Sequence, residues 1–308
     1  MREKPKATPK KKRTDGNIEA ISRNVLSVRF AEIKEGWEQW VLLSSDRHHD
    51  SIHSDREMEL MHLEMVKERK ALIVDAGDLF DAMQGKFDPR RTYKDLRPEY
   101  KVENYLDEIV ADAARFYGPY ADRFLVIGRG NHDQAILKNH GVDLISGLVH
   151  RLNSDYGGKI QAGFYGGWVM FRFEIHGTQK LTKNLKYFHG AGGGGPVTRG
   201  VIQTNRQAVY LPDADIVLNG HTHDAWHLPI ARERVNLAGS VYQDMVHYVR
   251  TTSYKDEYQD GADGWHVETW KPPKPIGAAW LRFYYSPVQM GNRLRSNIGI
   301  EVIQALRQ

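Results

Sequence analysis

ALIVDAGDLFD, residues 71–81, is an apolar run that stops abruptly in a cluster of Asp and Gly. Two other stretches repeat the design: WVLLSSDRHHD at 40–50 and FLVIGRGNHD at 124–133. Each reads as a β-strand running into a loop of Asp, His, Asn and Gly. Between them, residues 55–70 and 98–116 carry apolar side chains at helix-like spacing: Leu60, Met61, Leu63, Met65 and Val66 in one, Tyr105, Ile109, Val110 and Ala113 in the other. The order is β-α-β-α-β, which sets the fold class as α/β. In an open α/β sheet, ligand groups gather beyond the carboxyl ends of the strands, and all three polar clusters fall there. Residues 80–97, rich in charge and turn formers, read as a lid-like loop over that crevice.

The second half changes character. Residues 165–176, 185–189, 216–219, 231–237 and 278–285 are short β-rich runs separated by Gly, Pro and Asp. They predict a second sheet packed against the first. The polar stretch 254–275 reads as loop, and no motif within 240–308 decides whether that part is a substrate platform or sheet edge and packing.

At 308 residues and 41% hydrophobic content the chain can bury a large core, and a single catalytic domain is expected over 17–308. No apolar stretch approaches the roughly 18 residues of a membrane span, and residues 17–29 alternate polar and apolar instead of forming a signal-peptide core. A soluble, cytoplasmic protein without a membrane partner is the expectation. Cysteine is absent, so any metal must be held by nitrogen and oxygen. The net charge is +4, but residues 1–13 hold seven Lys and Arg against one Glu, a local +6 that leaves −2 for residues 14–308. The basic excess therefore sits in a Pro- and Lys-rich tail, residues 1–16, that cannot bury apolar surface and is expected to be disordered. The body offers no electrostatic attraction for nucleic acid.

Five clusters carry chemistry: Asp46-Arg47-His48; Gly77-Asp78-Leu79-Phe80-Asp81; Gly130-Asn131-His132-Asp133; His189 ahead of a glycine run; and Gly220-His221-Thr222-His223. Any one alone is a weak signal, but five in order beside strand ends are not an accident of composition. Hydrolysing a phosphate ester at neutral pH needs a nucleophilic hydroxide and neutralised phosphoryl oxygens, which two divalent cations about 3.5–4 Å apart supply together. Imidazoles hold first-row metals, carboxylates offset charge and bridge, and an Asn amide oxygen adds a neutral ligand.

As a set, these clusters resemble the calcineurin-like metallophosphoesterase family, whose signature is DxH, GDxxD, GNHD or GNHE, an isolated His and GHxH. The match spans residues 46–224, with no ligand missing. The resemblance implies a two-sheet sandwich flanked by helices, in four layers α-β-β-α. It implies one metal on Asp46, His48 and His223, a second on Asn131, His189 and His221, and Asp78 bridging the two. It implies a metal-bridging hydroxide as nucleophile, with His132 assisting the leaving oxygen and Asp81 as the carboxylate partner of His132. Mn is the preferred metal, with Fe, Zn and Ni as alternatives. The bacterial and phage-borne members it most resembles point to phosphodiesters of DNA, RNA or nucleotides. The rival readings are a phosphomonoesterase or protein phosphatase of the same fold, which Arg129 and Arg199 favour, and a nonenzymatic nucleic-acid-binding or scaffold protein attached through the tail.

His49, Asp50, Asp224 and His227 adjoin the motifs, where turn or surface roles compete with support of the ligands. The run Gly190-Ala191-Gly192-Gly193-Gly194-Gly195 suits either close approach of a phosphate to the backbone or a mobile connector. Arg129, Arg199 and Arg206 are candidate phosphate contacts.

Overall fold

The computed structural model describes residues 17–82, 95–193, 195, 197–258, 265–290 and 293–307. The basic tail and the middle of the lid-like loop lie outside these. The chain is mixed α/β with two main sheets. Seven strands form one: β1 (Asn17–Ser22), β2 (Val25–Ile33), β7 (Gly166–Ile175), β8 (Gln179–Phe188), β9 (Ile216–Asn219), β10 (Trp226–Val235) and β11 (Val241–Arg250), in the order β1-β2-β7-β8-β9-β11-β10. Six form the other: β3 (Glu38–Ser44), β4 (Leu72–Asp75), β5 (Phe124–Ile127), β6 (Gln161–Ala162), β12 (Gly277–Tyr285) and β15 (Ile298–Leu306), in the order β15-β12-β3-β4-β5-β6. A two-strand ribbon, β13 (Val288–Met290) with β14 (Arg293–Arg295), precedes the last strand.

The three apolar runs are the parallel strands β3, β4 and β5. Helices α1 (Arg56–Glu68) and α2 (Tyr105–Tyr117) lie in the connections between them. These strands are apolar without alternation because both faces are covered. Val41, Leu43, Leu72, Val74 and Val126 meet Val28, Phe171, Phe173, Leu185 and Leu218 of the seven-stranded sheet. Leu42, Ile73 and Ile127 face the other way, among Leu63 and Val66 of α1, Ile109 and Ala113 of α2, and Leu148 of α4 (Leu144–Tyr156), which follows α3 (Asn131–His140). A smaller cluster, Ala214, Val217, Val246 and Tyr248, is flanked by Ala208 of α5 (Val201–Tyr210) on the seven-stranded sheet.

Two expectations are corrected. Residues 278–285 do not join the second sheet; as β12 they pair antiparallel with β3, Ala279 opposite Leu43 and Leu281 opposite Val41. The reason is double burial: Ala278 and Trp280 pack toward the helices while Ala279, Leu281 and Phe283 pack between the sheets, so only an inner position suits this strand. Residues 17–29 and 241–250, left without strand assignments in the sequence, form β1, β2 and β11. Among the described residues no helix is long and apolar enough to cross a membrane.

Beneath the strand ends lies a buried ionic network. Arg47, fully buried, donates to Asp75 Oδ2 at 2.6 Å, to Ser44 Oγ at 2.8 Å and to Glu59 of α1, whose carboxylate also accepts from the Tyr117 hydroxyl. His62 of α1 sits alongside, its Nδ1 2.9 Å from the Tyr254 hydroxyl. Burial, and then the Arg47 charge, lower the His62 imidazole to about 4. The unfolded chain takes up this proton as pH falls through about 6.5, the folded chain only near 4, so acid favours unfolding across that window. Denaturant unfolding at pH 7 and pH 4.5 checks this. His62→Gln is expected to lose less stability on acidification than the wild type, by on the order of 2 kcal/mol. Equal losses would remove His62 from the account.

Candidate metal centre

Register explains why the clusters converge. Ser44 is level with Asp75, and Asp75 with Ile127, so the loops after β3, β4 and β5 leave their sheet at one edge. Phe188 is level with Asn219, so His189 and Gly220 leave the other sheet side by side. The two edges meet: His221 N donates to Asp46 Oδ2 at 2.8 Å, and His189 Nδ1 lies 3.2 Å from the Ala76 carbonyl oxygen.

All seven residues assigned to metals by the resemblance come together here. Asp46, His48 and His223 form one potential ligand group, Asp78, His189 and His221 a second, and His48, Asp78 and His132 a third between them. His223 Nε2 is 3.3 Å from Asp46 Oδ1 and 3.4 Å from His48 Nε2. His189 Nε2 is 3.1 Å from Asp78 Oδ2 and 3.2 Å from Asn131 Oδ1, and Asn131, within the third motif, is the first residue of α3.

Three features of the cluster fit a cation site. Asp46 uses Oδ2 to accept from Ser45 Oγ and the His221 amide, while its buried Oδ1 accepts no well-formed hydrogen bond and faces the imidazoles. Eleven described non-glycine residues take positive φ, and five are Asp46, His48, Asp78, His221 and His223, with φ between 45° and 73°. Strain concentrated in this way is held by the surrounding packing and is typical of functional sites. The motif glycines are required by contact. A Cβ on Gly130 would lie 1.9 Å from Asp78 Oδ1, and one on Gly220 2.1 Å from Ser45 Oγ and 2.5 Å from Asp46 Oδ2. The donor set, imidazole nitrogen with carboxylate and amide oxygen, fits divalent first-row cations.

The electrostatics agree. Burial opposes charge on Asp46 and Asp78, yet His189 above all, with His223 and His48 at Asp46 and His132 at Asp78, holds both carboxyls below their ordinary range. Burial likewise opposes charge on His189, and Asp78 and Asp46 outweigh it, raising this imidazole to about 9. Asp133 accepts from the Gly130 and Asp78 amides at 2.9 and 3.0 Å; burial and then Asp78 push its carboxyl well above the usual range. The cavity is rich in carboxylates and favours positive charge.

Asp81 lies against both His132 and His48. His132 Nδ1 lies 2.6 Å from the Asp81 carbonyl oxygen, whereas the Asp81 carboxylate is 3.4 Å from that nitrogen and only 2.8 Å from His48 Nδ1. The backbone turn after β4 brings the carbonyl nearest to the His132 ring and leaves the carboxylate between His132 and His48. Asp50 fixes that turn by accepting from the Asp81 and Ala82 amides at 2.6 and 2.9 Å. His49 is also buried, 3.1 Å from Asp112 of α2, so both residues support the ligand loops and neither lies on the surface. Asp224 pairs with Lys274, and His227 stacks on His247 of β11.

Arg129 is engaged with Asp143 at the start of α4 and lies over the Phe164 ring; Arg199 and Arg206 are exposed. In the glycine run, close approach explains Gly190, whose φ is +124° and whose Cβ would meet His221 Cβ at 2.9 Å. Gly194 lies outside the described residues. Sequence reasoning missed the contribution of the C-terminal third: Thr251, Ser253 and Lys255 reach the centre, Lys255 from within the stretch 254–275 read as polar loop and the other two from just before it. Burial alone works against the Lys255 charge, but Asp81 and then Glu257 outweigh it and hold the ammonium above its ordinary value.

No protein-family model matches the chain, and no curated protein matches it. Similar solved structures include GAP50, the anchor in the inner membrane complex of Plasmodium, at 11% identity over 80% of this chain and 81% of that one, TM-score 0.40. Vps29 of Chaetomium thermophilum is 12% identical over 86% of this chain and 95% of its own, TM-score 0.34. A Staphylococcus aureus protein described as a 5'-nucleotidase, solved with alpha-ketoglutarate, is 13% identical over 88% of this chain and 55% of its own, TM-score 0.39. At these identities and scores the likenesses carry no functional argument, which rests on the site itself.

Proposed function

We propose that this chain is a two-metal phosphoesterase of the calcineurin-like metallophosphoesterase type, acting on phosphodiesters of nucleic acids or nucleotides. The observation that carries the reading is the meeting of Asp46, His48, Asp78, Asn131, His189, His221 and His223 from five strand-end loops, with the buried Asp46 Oδ1 turned toward the imidazoles. Helices packed outside the six-stranded sheet, and α5 against the other, also support the four-layer sandwich of that family.

Asp46, His48 and His223 would hold one cation, Asn131, His189 and His221 the other, with Asp78 shared. Bound divalent cations supply charge neutralisation at the phosphoryl oxygens and a nucleophile at neutral pH. The protein's own contribution to proton transfer falls to His132. Its Nδ1 can donate to the Asp81 carbonyl, which leaves Nε2 to hold and deliver a proton to the departing oxygen. Asp81 orients His48 through its carboxylate and His132 through its carbonyl.

The monoesterase alternative drew on cations to grip a dianion, and the engagement of Arg129 with Asp143 weakens it. Hydrolysis of bis(p-nitrophenyl) phosphate, p-nitrophenyl phosphate and single- and double-stranded DNA, each with Mn, Fe, Zn or Ni, tests the reading. Metal-dependent turnover of the diesters above the monoester is expected. Preference for the monoester would favour the phosphatase, and no turnover with any metal would favour the nonenzymatic binding module.

A further inference from the structure

Residues 251–257, TTSYKDE, contain no apolar run, yet every one of them is buried. Leaving β11, the segment passes directly under the first motif. Thr251 Oγ1 is 2.8 Å from Ser45 Oγ, which itself donates to Asp46 Oδ2 at 2.5 Å. Ser253 Oγ and the Tyr254 amide both donate to the Asp46 carbonyl oxygen, at 2.6 and 3.2 Å. Lys255 follows, its Nζ 3.3 Å from each carboxylate oxygen of Asp81 and 3.2 Å from Glu257 Oε1.

A buried ammonium is costly unless it is paired, and this one lies evenly across the Asp81 carboxylate with Glu257 on its other side. The same Asp81 carboxylate reaches His48 Nδ1 at 2.8 Å, an ion-pair contact outside hydrogen-bond geometry. Where a histidine binds metal through one ring nitrogen, a carboxylate on the other fixes its tautomer and tilt, and such outer partners tune affinity. Asp81 occupies that place toward His48, and Lys255 fixes Asp81. Without Lys255, the carboxylate could rotate between His48 and His132, and the aim of the His48 ring would loosen.

We infer that Lys255 is a positioning residue of the metal centre, acting on His48 through the Asp81 carboxylate, so that the C-terminal segment completes a site whose ligands all come from earlier in the chain. The inference rests on the metal-centre reading above.

The test is calorimetric titration of Mn(II) into wild type, K255M, K255R, D81N and the K255M/D81N double variant, with melting temperatures from the same samples. K255M is expected to weaken Mn(II) binding roughly 10- to 100-fold. K255R is expected to restore most of it, and the double variant to bind no more weakly than D81N alone, because the two residues act along one path. Additive losses would mean that Lys255 merely supports the fold, and overturn the inference. So would wild-type affinity in K255M, or an unchanged affinity with a raised KM for bis(p-nitrophenyl) phosphate, which would make Lys255 a substrate contact. If K255M does not fold, K255Q carries the same comparison. A wild type that binds none of Mn(II), Fe(II), Zn(II) or Ni(II) would overturn the metal centre and this inference together, which is distinguishable from every outcome above.

Discussion

Asp78→Asn is expected to lower metal-dependent diester hydrolysis by about 10³-fold or more while leaving the protein folded. Asp78 lies where the ligand groups overlap, with Oδ2 3.1 Å from His189 Nε2 and 3.8 Å from His132 Nε2. Its other oxygen accepts from the His132 amide at 2.8 Å. Asparagine keeps the shape and can keep that hydrogen bond, so the helix α3 start should stand. It relieves the repulsion from Asp46 but gives up the attraction of His189 and His132, which outweighs it, so a modest fall in the melting temperature of the metal-free chain is expected. What it removes is the negative charge that two cations would share. Metal-assisted charge stabilisation is worth several kcal/mol, and each 1.36 kcal/mol is tenfold in rate. The measurements are initial rates on bis(p-nitrophenyl) phosphate, Mn(II) stoichiometry by calorimetry, and the melting temperature. A variant within tenfold of wild-type rate with both cations bound would remove Asp78 as the bridge.

His132→Ala is expected to separate chemistry from metal binding. The ring projects from the first turn of α3, and its side chain retains 11% exposure, so substrate can reach it. A positioned general acid contributes about 10²–10⁴-fold, and the need for it grows as the leaving group becomes more basic. Nitrophenolate departs without much help, whereas a deoxyribose alkoxide does not. The expected result is a loss near the top of that range on DNA, a markedly smaller loss on bis(p-nitrophenyl) phosphate, and Mn(II) affinity within a few-fold of wild type. Equal losses on both substrates would exclude the leaving-group role. A collapse of metal affinity would instead make His132 a ligand, as its grouping with His48 and Asp78 would permit.

Much of the site was legible because its logic is local. An apolar strand buried on both faces takes Asp, His or Asn only where a partner meets it, as Arg47 meets Asp75, so 41–43, 72–74 and 124–127 place their polar successors at or beyond the sheet edge. The motif glycines were equally readable as motif members, although the atoms that forbid a Cβ at Gly130 and Gly220 belong to loops 52 and 175 positions away in sequence, at Asp78 and Ser45. Strand partnership was less legible. Residues 278–285 have the same β-rich composition whichever sheet they join, and only the depth available on both faces beside β3 decides for that position.

By itself, then, the sequence determined the succession of strand ends, the types of ligand each carries and the exclusion of thiolate chemistry. Tertiary structure alone decided which groups pair with which. Asp81 turned its carboxylate to His48 and its carbonyl to His132, Arg129 went to Asp143, and a polar segment 174 residues beyond Asp81 supplied Lys255. The physical reason is that apolar burial follows from a residue's own side chain and its near neighbours, and so leaves a periodic trace. A buried charge is tolerated only with a partner, and the partner's identity is fixed by whichever distant backbone the fold brings within about 3 Å.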